Sequence, residues 1–77
     1  MSFNSASMYR ASFTGLNGSG AISVTGTEVG DVIVAVIVGT SNSEPSILEH
    51  TVSVADEIQQ VSGGDFSADT ITAILAR

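Results

Sequence analysis

The stretch that decides the fold of this chain covers residues 31–40 and reads DVIVAVIVGT. It contains seven apolar residues in a row, six of which are β-branched. β-Branched side chains are restricted at χ1 and fit a pleated sheet better than a helix. Because turn residues close the run at both ends, we predict a strand that is buried on both faces. The run is too short to span a bilayer, for which a helix needs about 20 apolar residues.

Shorter segments around this run predict further strands. Residues 21–25 alternate between apolar and polar side chains, and the turn signal Asn17-Gly18-Ser19-Gly20 precedes them. Because only residues 26–30 separate this strand from the apolar run, we expect the two strands to be antiparallel neighbours. Five or six short strands separated by turn residues predict an all-β fold, a small antiparallel β-sandwich or barrel.

Two segments in the second half of the chain fit either a helix or a strand. Residues 54–61 have apolar side chains at helical spacing, but a turn at Ala55-Asp56 would leave a strand from residue 57 onward. Residues 68–76 also fit a short helix, although their threonines and isoleucines favour a strand. We predict a strand in both segments. In the second, one face would carry Ile71, Ala73 and Leu75.

The composition restricts both the stability and the partners of the chain. Its 77 residues allow one domain, which has no cysteine and a net charge of −6. So small a domain is marginally stable without a disulfide, a metal or a partner. Only 13% of the residues are charged, compared with roughly 25% in ordinary domains. We therefore expect stabilisation by association, and no binding to nucleic acid or to an anionic membrane.

The N-terminal residues show no periodicity and differ in this respect from the rest of the chain. We predict a flexible arm over residues 1–11 and a single β domain over residues 12–77. The apolar residues Phe3, Met8 and Tyr9 of this arm are candidate contacts with a partner. No basic segment followed by an apolar core is found at the N-terminus, so we expect no signal peptide.

The polar residues form no recognisable catalytic or cofactor-binding pattern. His50 shares one face of a predicted strand, within residues 47–54, with apolar residues, and no serine–acid pair is placed to form a triad with it. The Gly-rich turn at residues 17–20 lacks the lysine of a phosphate loop. A calcium site would be expected first at Asp65 and Asp69, but the acids are dispersed. We predict no enzymatic activity, no cofactor and no metal.

Three short stretches give the chain a resemblance to small virion proteins of tailed bacteriophages. They are residues 29–33 (VGDVI), 53–60 (SVADEIQQ) and 65–67 (DFS), the last leading into an apolar strand that ends at Arg77. The resemblance covers roughly residues 20–77. It implies a β-rich, non-enzymatic structural protein located in the virion, assembled in the host cytoplasm.

A capsid decoration or cement protein is the particular role that this resemblance implies. Such a protein stabilises a phage head by surface contacts with the major capsid protein or another virion protein, and associates with its own copies, for example as a trimer. The alternative is a carbohydrate- or ligand-binding β module of a tail or receptor-binding appendage. The single tyrosine and the absence of tryptophan argue against it, because sugar sites usually stack rings on aromatic side chains.

Overall fold

The computed structural model of the chain describes residues 7–39, 41–43 and 45–77, called the described residues below. They form an all-β fold, as the sequence predicts, with one short 3-10 helix at Pro45–Ile47 and no α-helix. The strands are β1 (Met8–Thr14), β2 (Gly20–Ser23), β3 (Val32–Val38), β4 (Ser41–Ser43), β5 (Glu57–Gln60) and β6 (Thr70–Ala76). The strand predictions for residues 57–60 and 70–76 are therefore confirmed.

The strands form two antiparallel sheets. Four strands pair in the order β1-β6-β3-β4, and β2 pairs with β5. The predicted pairing of β2 with the apolar run is therefore wrong. β3 pairs instead with the equally apolar β6 over almost its whole length, which lets both strands bury the same face. Residues 24–31 cross from one sheet to the other.

One long, bent ribbon connects the two sheets. β1 pairs with β6, and β2 pairs with β5, along their full lengths. Between these ladders the Gly18 amide donates to the Gly64 carbonyl at 3.0 Å. The Phe66 amide donates to the Leu16 carbonyl at 2.8 Å. β1 and β2 are thus two halves of one bent strand. β1 faces β6, and β2 faces β5.

Gly15 lies at the bend, where no side chain fits. A Cβ atom at this position would lie 2.5 Å from Phe66 Cβ and 2.9 Å from Ile71 Cδ1. Both distances are shorter than nonbonded carbon atoms tolerate. The bend therefore depends on a glycine that lets the two strands of the ribbon approach closely.

Gln60 fastens the bend from the inside. Its side chain is buried, and the Leu16 amide donates to Gln60 Oε1 at 2.9 Å. The Gln60 Nε2 atom donates to carbonyl oxygens of both strands, those of Leu16 (3.1 Å), Gly18 (2.8 Å), Ser62 (3.2 Å) and Gly64 (3.2 Å). One side-chain amide thus gives partners to the Leu16 amide and to the Gly18 and Ser62 carbonyls. It also adds a second donor to the Leu16 and Gly64 carbonyls, which already accept backbone hydrogen bonds.

The segment between β4 and β5 closes the fold on one side. The Ile33 amide donates to the His50 carbonyl, and the Glu49 amide donates to the Gln59 carbonyl, both at 2.9 Å. Residues 47–52 therefore lie between β3 and β5. Around the molecule the order is β1, β6, β3, residues 47–52, β5 and β2. Within the described ranges no backbone pairing joins β2 to β1, so the fold is a barrel that is open along one seam.

The core lies inside this open barrel. Its largest contribution comes from β6, whose residues Ile71, Ala73 and Leu75 are completely buried, as the strand prediction required. The other buried apolar residues are Ile22, Val24, Ile33, Val36, Leu48, Val52 and Ile58. β1 adds the partly buried side chains of Tyr9, Ala11 and Phe13.

The apolar run forms β3 with the predicted bounds, but it is not buried on both faces. Ile33 and Val36 are each 2% exposed, whereas Val34 is 45% exposed. The pairing with β6 shifts by one residue between Ile33 and Ala35, which makes Val34 a bulge residue without a partner on β6. The side chains of Ala35 and Ile37 consequently lie on the outer side of the sheet.

Two further predictions are corrected. Residues 8–11 belong to β1 rather than to a flexible arm, because they pair with the end of β6; residues 1–6 lie outside the described residues. Residues 47–54 are not a strand. Ile47 ends the 3-10 helix, and Leu48 and Thr51 make single bridges. The preceding Pro45 has a fixed φ and no amide hydrogen, which favours the helical turn over a ladder.

The two faces of β3 lead to a testable difference between two aspartate variants. Val36→Asp should prevent folding, because an unpaired buried carboxylate costs several kcal/mol, comparable with the total stability of a small domain. Val34→Asp should leave the protein folded, because the bulge residue is exposed. Urea unfolding followed by far-ultraviolet circular dichroism measures both. Equal losses of stability would contradict the bulge.

Gln60 permits a second test of the fold. Gln60→Glu has nearly the same shape but places a carboxylate among carbonyl oxygens, so we expect a loss of about 3 kcal/mol or more at pH 7. Burial should raise the pKa of the new carboxyl group. The loss relative to wild type should therefore become smaller as the pH falls and the group is protonated. A loss that does not change between pH 7 and pH 4 would contradict the role of this amide.

Candidate functional site

A groove with a volume of about 480 Å³ lies along the open seam. One wall consists of Ser7 and residues 9–12 of β1, and the other consists of residues 23–26 at the end of β2. Arg77 also lines it. The two bent halves of one strand therefore form the walls of this groove.

The β1 wall carries unpaired backbone groups. The Arg77 amide donates to the Ser7 carbonyl at 2.8 Å, and the Gly15 amide donates to the Asp69 carbonyl at 3.2 Å. Odd-numbered residues of β1 therefore make the hydrogen bonds with β6. Because the direction alternates along an antiparallel strand, the amides and carbonyls of Arg10 and Ser12 point into the seam.

The β2 wall has the same property. The Val24 amide donates to the Asp56 carbonyl at 2.9 Å, so even-numbered residues of this strand make the hydrogen bonds with β5. The amide and carbonyl of Ser23 consequently point away from β5, and the chain turns at residues 25–26. The seam is thus bordered on both sides by strand edges whose hydrogen-bonding groups have no partner in the described residues.

A buried carboxylate, Asp31, lies at the start of β3 beside the seam. Its side chain is 3% exposed. Arg77 donates to it through Nε (3.2 Å to Oδ1) and Nη2 (3.0 Å to Oδ2). The Tyr9 hydroxyl and the Glu28 amide (2.9 Å) also donate to Oδ2. Four donors from three separate parts of the chain therefore stabilise this one charge.

Arg77 connects the carboxylate to both walls of the groove. Its Nη2 atom also donates to the Gly26 carbonyl at 2.7 Å, and its Nη1 atom lies 3.2 Å from Glu28 Oε2. The guanidinium carbon lies 5.0 Å from the centre of the Tyr9 ring, within the range of a cation–π contact. Tyr9 belongs to one wall and Gly26 to the other, so the Asp31–Arg77 pair braces the seam.

The electrostatics of this cluster suit a structural role. The hydrogen bond from Arg77 holds the pKa of the Asp31 carboxyl group well below its usual range, despite the opposing effect of burial. Burial, together with the neighbouring Asp31, raises the pKa of the Tyr9 hydroxyl, and the hydrogen bond with Asp31 raises the pKa of Arg77. All three groups keep one protonation state around neutral pH, which suits a fixed ion pair better than proton transfer.

The groove also contains both basic residues of an acidic protein. Arg10 and Arg77 line it, and the chain has no other arginine and no lysine. Arg77 is occupied by Asp31 and Glu28, whereas the side chain of Arg10 is exposed and makes no ion pair with any described residue. Arg10 is therefore a cation of this surface without an ionic partner in the described part of the chain.

A second candidate surface is the outer side of the four-stranded sheet, called the outer face below. Its centre is apolar, because Ile74 of β6 lies opposite Ala35 of β3 and Ile37 lies beside it. None of these three residues packs against the core. Along the long strands the outer face consists of Met8, Arg10, Ser12, Thr14, Val32, Ala35, Ile37, Thr70, Thr72, Ile74 and Ala76.

The candidate contact residues from the sequence fall in different environments. Phe3 lies outside the described residues. Met8 is 60% exposed at the edge of the outer face, whereas Tyr9 is half-buried and its hydroxyl is bound to Asp31. Neighbouring residues of a strand point to opposite faces, so the structure does not bring Met8 and Tyr9 together. Their contact with a partner stays a prediction.

Sequence reasoning missed the residues that build the seam. From the sequence, Asp31 is interpreted as a turn residue. An acid that directly precedes a buried strand is itself placed near the core, where its carboxylate requires a cation. The presence of only two bases, at positions 10 and 77, was the second available signal. His50 contributes its carbonyl to β3 and has an exposed side chain. Asp65 accepts hydrogen bonds from Ser67, which lower the pKa of its carboxyl group.

No protein-family model, curated protein or solved structure matches the chain. In the part of the chain that the structure describes, no helix has the length and hydropathy needed to cross a membrane. No three histidine, aspartate or glutamate side chains of this part converge to hold a metal ion. The outer face and the seam are accordingly the features from which a function can be argued.

The braced seam predicts a pH-dependent loss of stability. Asp31→Asn keeps the shape of the side chain but removes its charge. We expect this variant to have a free energy of unfolding about 2 to 3 kcal/mol lower than that of wild type at pH 7. The folded-state pKa of Asp31 lies below its ordinary value of 3.8. The charge therefore stabilises the protein above that pH, and this contribution is lost as the pH falls through the folded-state pKa.

The difference between wild type and Asp31→Asn should accordingly shrink below about pH 4. Urea unfolding between pH 7 and pH 2 measures it. Glu28→Gln is the matched control, since it removes an exposed partner of the same arginine and should have a smaller effect. If both variants lose equal stability at pH 7, the buried ion pair does not brace the fold.

Proposed function

We propose that this protein is a non-enzymatic structural component that assembles through its outer face. The observation that carries this proposal is the apolar centre of that face, formed by Ala35, Ile37 and Ile74. A sheet with one face on the core and one face in water normally alternates apolar and polar residues. Here the two central strands place apolar side chains on both sides, which is expected when another protein surface covers the outer one.

The distribution of charge supports contact between copies of the chain. The protein has a net charge of −6, yet β1, β3, β4 and β6 contain no acidic residue. Two copies can therefore bring their outer faces together without bringing carboxylates together.

The size of the outer face indicates that one such contact is weak. Its three long strands have seven residues each, so the face covers roughly 300 Å² per copy at normal strand spacing. Stable interfaces bury about 800 Å² per partner. Several contacts must therefore act together, as in a ring or on the surface of a shell.

The setting that we propose is a bacteriophage virion, in which the protein decorates or cements the head. The sequence resemblance to small virion proteins supports this setting, and so does the small all-β fold. The partner would be the major capsid protein or another virion protein, and a trimer is the expected arrangement of copies. A shell lattice provides the many simultaneous weak contacts that the small outer face requires.

The first test measures self-association by sedimentation equilibrium over a roughly hundredfold range of concentration. Wild type should exceed its monomer mass of 7.8 kDa as concentration rises, and its melting temperature should rise with it, because association stabilises only the folded form. The double variant Ile37→Thr/Ile74→Thr should remain a monomer, since threonine keeps the β-branched shape but removes apolar area. Val61→Thr, at an exposed position outside the outer face, should behave as wild type.

A wild-type protein that stays a monomer throughout this range would contradict assembly through the outer face. The virion setting is tested separately by cosedimentation with empty shells of the major capsid protein encoded in the same genome. Binding of wild type, but not of the double variant, is the expected result. Self-association without shell binding would remove the virion setting and leave the structural role.

A further inference from the structure

We propose that the open seam binds an extended segment of a partner polypeptide, which adds to β1 as a further strand and carries an acidic side chain beside Arg10. This binding uses the edge of β1 and not the apolar centre of the outer face, so it can be tested separately from the assembly proposed above. The first support is the state of the two walls. Arg10 and Ser12 on one wall, and Ser23 on the other, direct amides and carbonyls into the groove that have no partner among the described residues.

Unpaired strand edges are the groups that an added strand uses, because main-chain hydrogen bonds provide its affinity. Proteins usually block such edges with a covering element, a proline or a bulge. Among the described residues, the wall formed by residues 9–12 has no covering element and no proline, and its pairing with β6 runs without a shift of register. At about 3.3 Å per residue, this wall accommodates a segment of about four residues.

The side chains of the groove leave this backbone accessible. Most of the lining residues are small, namely Ser7, Ala11, Ser12, Ser23, Thr25 and Gly26. Tyr9, Ala11 and Val24 provide an apolar floor on the inner side of the seam. A strand with alternating side chains would therefore direct apolar residues inward to this floor and polar residues outward.

Charge complementarity selects an acidic segment. The two basic residues of the chain both line the groove. Arg77 is already held by Asp31, whereas Arg10 has no partner among the described residues. Arg10 projects to the outer side of β1, so it would lie beside an outward-pointing residue of the added strand. An aspartate or glutamate at that position gives an ion pair, and a lysine gives repulsion.

The test uses a short peptide as a probe of the seam. The acetylated and amidated peptide Thr-Val-Asp-Val-Thr, labelled with a fluorophore, places both valines on one face and the aspartate on the other. Fluorescence anisotropy should show saturable binding that weakens with added salt. The lysine analogue Thr-Val-Lys-Val-Thr should bind about tenfold or more weakly, since it exchanges attraction to Arg10 for repulsion.

Two protein variants locate the binding. Arg10→Glu should lower the affinity for the aspartate peptide about tenfold and raise the affinity for the lysine peptide. Ser12→Pro removes an amide hydrogen that points into the seam and not toward β6, so the sheet is retained while one strand contact is lost. Circular dichroism checks that both variants fold. The double variant Ile37→Thr/Ile74→Thr should bind the peptide as wild type does, which separates this proposal from assembly through the outer face.

Amide hydrogen exchange gives the direct structural readout. Bound peptide should slow the exchange of the Arg10 and Ser12 amides, with the Gly64 amide, at the bend of the ribbon, as a reference. The proposal is overturned by an absence of saturable binding, or by equal affinity of wild type, Arg10→Glu and Ser12→Pro. It is also overturned if rising protein concentration alone protects these amides, because the occupant of the seam would then be a second copy.

Discussion

A carboxylate buried at the start of the central strand needs a cation, and this need connects distant parts of the chain. Asp31 obtains its cation from Arg77, which follows the last strand. The same guanidinium holds the carbonyl of Gly26 and lies over the ring of Tyr9. The crossing between the sheets, the first strand and the last strand are therefore fixed by one charge pair. Removing a partner would leave an uncompensated charge in a poorly hydrated site, which is why the rest of the architecture depends on this contact.

The ion pair also explains how the barrel can remain open. A sheet edge without a partner tends to pair with another chain or to close on a neighbouring edge. In this protein the bend at Gly15, fastened by Gln60, brings both halves of one strand toward each other, and Arg77 braces them at the end of the seam. The walls are therefore held in place without pairing with each other. That arrangement leaves a row of backbone groups without a partner among the described residues, at the site that we propose for another strand.

The outer face and the seam give the protein two different means of contact. The outer face has an apolar centre and no acidic residue in its strands, and we propose that it makes weak contacts that are repeated in an assembly. The seam is polar, contains both basic residues, and is suited to one extended segment. Neither surface depends on a reactive side chain, and the charged groups at the seam are fixed in single protonation states.

The sequence alone determined the fold class, the bounds of β3 and the strands near the C-terminus, because β-branched runs and turn residues act locally. The sequence also shows that Met8 and Tyr9 are apolar residues near the N-terminus. It does not show that the side chain of Tyr9 points toward the core whereas that of Met8 is exposed. Only the tertiary structure decided which strands pair, that Val34 is a bulge, and that Asp31 meets Arg77 across 46 positions. These outcomes depend on contacts between residues far apart in the chain. Such contacts form only when the whole chain has closed around its core, and no local pattern records them.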